Sequence, residues 1–88
     1  MRVQITEVEI SAAVQAKINS KHGVTVDDVL FVCHRPHMRG SWHDHPTHGR
    51  RLLIMGLTEH GRPLKIILFP VDVGRGRYRL GTAIVGSS

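Results

Sequence analysis

Two aliphatic runs, RRLLIMGLT at 50–58 and PLKIILFPV at 63–71, are separated only by Glu59-His60-Gly61-Arg62. Two extended apolar segments joined by a short glycine-containing turn predict a β-hairpin, which commits the chain to a core built on a sheet. A third run, RYRLGTAIV at 77–85, follows the linker Val73-Gly74-Arg75-Gly76. Its Tyr78, Leu80, Thr82 and Ile84 alternate with Arg77, Arg79, Gly81 and Ala83, the pattern of a strand with one buried face. Near the N-terminus, VQITEV at 3–8 places Val3 and Ile5 in alternation with Val8 just beyond, so a short first strand is expected.

Between these extended segments the period becomes helical. Ile10, Val14 and Ile18 recur every four residues and form one apolar stripe on a helix from about Ser11 to His22. Ser11 can cap its start, and Gly23 is the residue type that best accepts the left-handed geometry ending a helix. A second helix begins directly. Thr25 serves as N-cap, Asp27 and Asp28 meet the positive end of the helix dipole, and Val24 and Val29 have hydrophobic-staple spacing. Leu30, Val32 and Cys33 continue its buried side until Pro36 stops it. The expected fold is α+β, two helices packed on a small antiparallel sheet in the order β-α-α-β-β-β.

An 88-residue chain with 41% hydrophobic residues makes one small domain, taken over 1–88, with residues 34–49 as a histidine-rich connecting loop. A lone cysteine excludes an internal disulfide framework and fits a reducing, cytoplasmic setting. MRVQITEVEI lacks the order of a signal peptide, and no apolar run approaches the roughly 20 residues of a membrane helix. The net charge of +5 is unevenly spread: residues 1–30 carry three Lys or Arg against four carboxylates, and residues 31–88 carry nine against three. A basic second half suits a polyanion or an acidic protein partner.

Residues 33–48, CHRPHMRGSWHDHPTH, hold the only Cys, the only Trp and five of the seven His. Zinc would need four tetrahedral ligands, here Cys33 or His34 with His37 and His43 or His45 with His48. Pro36 and Pro46 interrupt both pairs and no second thiolate is present, so a solvated loop is the default. No metal is assigned; His37, His43, His45 and His48 are the candidates if one binds. For nucleic acid the stretch offers Arg35 and Arg39 to phosphate and Trp42 to a base face. Trp42 covering the sheet edge is the alternative.

Two segments resemble a known family. KINSKHGVTVDDV at 17–29 is similar to the helix-turn-helix entry of BrnT-type toxins, and HGRRLLIMGLTEHGRPLKIILFPV at 48–71 is similar to their central hairpin. The resemblance implies a RelE-like fold and a metal-independent endoribonuclease that blocks translation without a cofactor. It also implies a cognate antitoxin, BrnA-like, in a type II toxin–antitoxin pair. Such chemistry needs an acid–base group for the 2′-hydroxyl and the leaving 5′-oxygen, and cations for the phosphorane. Lys21, His22, Arg51 and Arg79 are the candidate catalytic residues. Arg35, Arg39, Trp42, Arg50, Arg62 and Arg77 are the candidate RNA-binding set. For His22, bonding to the last carbonyls of its own helix is the competing role. Gly49-Arg50-Arg51 lacks the acidic entry of the family pattern, and Ile84 stands where its last strand has arginine. The alternative is therefore a non-catalytic relative, a basic protein- or nucleic-acid-binding module, with a His-rich metal-binding protein after it.

Overall fold

A computed structural model describes residues 4–35, 40–47 and 49–86. In chain order the elements are β1 (Glu7–Glu9), α1 (Ala12–His22), α2 (Val26–Cys33), β2 (Gly40–His45), β3 (Gly49–Leu57), β4 (Pro63–Asp72), a 3-10 turn (Val73–Arg75) and β5 (Arg77–Val85). The five strands form one sheet in the order β1-β5-β4-β3-β2. The class is α+β, as expected. No described helix is long and apolar enough to cross a membrane.

The helices begin and end where their capping residues dictate. Ser11 Oγ accepts from the Val14 amide at 3.2 Å. At the other end Gly23 takes φ 63°, and the amides of Gly23 and Val24 donate back to the carbonyls of Asn19 and Ile18 at 2.9 and 3.1 Å. Thr25 and Asp28 form a reciprocal capping box at 3.1 Å in each direction. α1 packs on β5 and α2 on β3, both on one face of the sheet. There Ile18, Val24, Val29, Val32 and Cys33 meet Leu52, Ile54, Leu64, Ile66, Leu68, Tyr78, Leu80 and Ala83 in a single core.

Four expectations need correction. The residues taken as a connecting loop over 34–49 contain β2, which pairs antiparallel with β3 from Gly40↔Ile54 to His45↔Gly49. Gly, Ser, His and Asp are poor strand formers, and only Trp42 of this strand packs against the core. An edge strand needs a partner's ladder more than its own apolar alternation, so no periodic signal marked it. The sheet therefore has five strands, the observed order being β-α-α-β-β-β-β.

The sheet is mixed rather than antiparallel, because β1 pairs parallel to β5. Arg77 fixes that pairing from the side, with its Nε 2.8 Å from Glu7 Oε2 and a terminal nitrogen 3.6 Å from Glu9 Oε1. The first strand also starts later than 3–8. Ile5 is buried and Val8 faces the core, while Val3 lies outside the described residues.

The alternation along β5 breaks once. Ile67 pairs with Thr82 but Leu68 with Leu80, leaving Gly81 as an inserted residue. A bulge of this kind reverses the faces. Tyr78 and Leu80 stay buried, but Ala83 replaces Thr82 and Ile84 in the core. A Cβ at position 81 would sit 2.5 Å from Phe69 Cε2, so the insertion needs glycine.

Candidate functional site

Cross-strand registers settle which side chains share the uncovered face. Opposed residues in a sheet point the same way, and the helix-covered face holds Leu52, Ile54, Ile66 and Leu68. The other face therefore carries Ser41, His43 and His45 of β2, and Arg51, Leu53, Met55 and Leu57 of β3. From β4 it carries Pro63, Lys65, Ile67 and Phe69, from β5 Arg77, Arg79, Thr82 and Ile84, and from β1 Glu7 and Glu9.

This open face divides along the strands. At one end a polar row crosses the sheet: His43 faces Arg51, Phe69 lies one step past the Leu52–Leu68 pair and so beside Arg51, Arg79 faces Phe69, and Glu9 faces Arg79. His43 to Arg79 spans three strand spacings, about 14 Å. The Arg79 guanidinium lies 5.9 Å from the Phe69 ring centre, within cation–π range. Arg77 is neutralised by Glu7 and Glu9, whereas Arg51, Lys65 and Arg79 have no ion pair among the described residues. Towards the β3–β4 turn the same face becomes aliphatic.

Of the four residues expected to act together, Arg51 and Arg79 do share a surface. Lys21 and His22 do not join them. They end α1, which packs on the opposite face, and the Arg62 guanidinium in the β3–β4 turn reaches the backbone carbonyls of His22 at 2.8 Å and Gly23 at 2.9 Å. That turn is at the far end of β3 from Arg51, six residues or roughly 20 Å away. The Lys-His-Gly corner and the arginine row are separated by both the length and the thickness of the sheet. Arg62 itself ties the hairpin turn to the helix end.

The remaining candidates scatter. Arg35, just past the end of α2, stacks over Phe31 of that helix at 5.6 Å, away from the open face. Arg50 lies 4.2 Å over the Trp42 ring, and Trp42 packs 6.2 Å from Tyr78, so this aromatic group closes the helix-covered side of the β2 end. Burial raises the Tyr78 phenol above its usual range and the nearby Arg50 charge partly offsets this. Arg39, His37 and His48 lie outside the described residues.

Among the described residues no three His, Cys, Asp or Glu side chains converge as a metal-holding group. Cys33 is a poor ligand on independent grounds: it is buried at the end of α2 and desolvation pushes its thiol up to about 12. His43 and Phe69 acquire their importance only from the register. In the sequence His43 is one of several loop histidines, and Phe69 one residue of an apolar run. No protein-family model matches the chain, and no curated protein matches it; the BrnT resemblance rests on the quoted segments alone.

Proposed function

We propose that the protein acts on single-stranded RNA along the polar row of its open sheet face, as a toxin-like, metal-independent endoribonuclease with His43 in the acid–base role first assigned to His22. The observation that carries this reading is the row His43–Arg51–Phe69–Arg79, which sets an imidazole, two guanidiniums with no ion pair among the described residues and a ring face side by side on four adjacent strands. Arg51 and Arg79 would hold the scissile phosphate and stabilise the charge that builds on it. Phe69 offers a face to a flanking base.

The reaction balances without metal. His43 accepts the 2′-hydroxyl proton as the 2′-oxygen attacks phosphorus. The bond to the 5′-oxygen breaks, and the imidazolium returns the proton to that oxygen, leaving a 2′,3′-cyclic phosphate and a 5′-hydroxyl. Lys21 and His22 have no part in this step. The wider role follows from the BrnT resemblance: a toxin that blocks translation and is held in check by a BrnA-like antitoxin.

The test is cleavage of a labelled single-stranded RNA in EDTA. Wild type is expected to cleave, Arg51→Ala and Arg79→Ala to lose about 100-fold or more, His43→Ala to lose about 100-fold, and Lys21→Ala and His22→Ala to match wild type. Equal activity in His43→Ala and wild type would remove the acid–base assignment. RNA binding without cleavage in all variants would leave the non-catalytic binding module, which the unpaired cations support equally.

A further inference from the structure

The other half of the open face asks for a different ligand. A strand with one solvated face alternates apolar and polar residues, whereas a strand buried on both faces reads as a continuous apolar run. β3 and β4 contain such runs, Leu52-Leu53-Ile54-Met55 and Ile66-Ile67-Leu68-Phe69. One set, Leu52, Ile54, Ile66 and Leu68, is fully covered by the helices. Among the described residues no layer covers the other set. Leu53 pairs with Ile67, and Met55 pairs with Lys65, which pairs with Ile84. Met55 is 63% exposed and Leu57 49%, a high exposure for large apolar side chains clustered on one surface.

We infer that this aliphatic end of the sheet is the docking surface for an acidic amphipathic helix of a separate partner protein, laid across β3, β4 and β5 as a third layer. Charge selects the occupant. Lys65 stands among Leu53, Met55, Ile67 and Ile84, while Arg51 and Arg79 border the patch, and within it there is no carboxylate. A second copy of this chain would set Lys65 against its own equivalent and join two molecules of net charge +5. A helix with an aliphatic stripe flanked by glutamates covers the apolar rows and pairs with all three cations. The partner helix would share Arg51 and Arg79 with the RNA row, but Met55, Leu57 and Lys65 take no part in that row, so substitutions at Met55 and Lys65 test the docking surface separately from RNA cleavage.

The probe is a synthetic helical peptide of about 18 residues, long enough to span the sheet at about 27 Å, with a leucine stripe flanked by glutamates. A control has lysines in their place. Methyl NMR spectra of the whole chain should show the acidic peptide shifting Leu53, Met55, Ile67 and Ile84 while the buried Ile18 and Leu52 stay in place. The lysine peptide should bind at least about tenfold more weakly. Met55→Glu and Lys65→Glu should each weaken the acidic peptide by about tenfold or more and leave RNA binding unchanged. The inference is overturned if neither peptide binds, if both bind alike, if the shifts fall on the helix side, or if the chain self-associates through Met55. RNA binding intact with no peptide capture refutes only the docking surface; capture without RNA binding refutes only the RNA reading.

Discussion

Replacing Arg62 separates a structural role from a ligand-binding one. The guanidinium donates two hydrogen bonds, to the Gly23 carbonyl at 2.9 Å and the His22 carbonyl at 2.8 Å. Both acceptors lie at the negative end of the α1 dipole, where a cation is favoured. A hydrogen bond involving a charged group contributes about 1.5–3 kcal/mol when shielded from water. Arg62 is exposed and the freed carbonyls can rehydrate, so both bonds together should contribute about 1.5 kcal/mol. In a domain of this size each kcal/mol moves Tm by about 4–8 °C, so Arg62→Ala should melt about 6–12 °C lower by circular dichroism. Arg62→Lys keeps the charge but reaches only one carbonyl, and should lose roughly half as much. RNA affinity of folded Arg62→Ala should equal that of wild type. A melting point within about 2 °C of wild type would refute the capping role. Weakened RNA binding at unchanged stability would return Arg62 to the ligand.

Three further outcomes follow from packing, titration and capping. A Cβ on Gly56 would lie 2.7 Å from Val32 Cγ1, so Gly56→Ala should destabilise by about 1–3 kcal/mol, and adding Val32→Ala should recover part of it in a double-mutant cycle. The Cys33 thiol is raised from 9.0 to about 12 by burial, so below pH 9 it is protonated in both states and adds no pH dependence. Between pH 9 and 12 the unfolded chain releases that proton first, and stability should fall by about 1.4 kcal/mol per unit. Denaturant unfolding of Cys33→Ala should lack this component of the alkaline decline. Thr25→Ala breaks the capping box of α2 and should lower unfolding free energy by about 1 kcal/mol, measured in urea.

Local chemistry was legible wherever one residue governs its own backbone. Ser11, Gly23, Thr25 and Asp28 set the helix ends, and the turn residues Glu59 to Arg62 set the hairpin. β2 was not legible, because its order comes from the ladder with β3 and only Trp42 advertises burial. The face switch at Gly81 was hidden for a related reason: a bulge is a relation between two strands, here Ile67–Leu68 against Leu80–Thr82. The candidate site shows the same division. Arg51 and Arg79 were recognisable as strand cations, but their distance from Lys21 and His22 depends on which face α1 covers.

The sequence by itself determined the two helices, the central hairpin and the last strand, the caps, the basic second half and the doubly apolar character of β3 and β4, since each is a property of residues close together in the chain. Only the tertiary structure decided the partners: that β1 joins β5, that His43 stands beside Arg51, and that Arg62 serves a helix rather than a ligand. Hydrogen-bonded registers and packing between distant segments make those choices, and no short stretch of sequence contains both sides of such a contact.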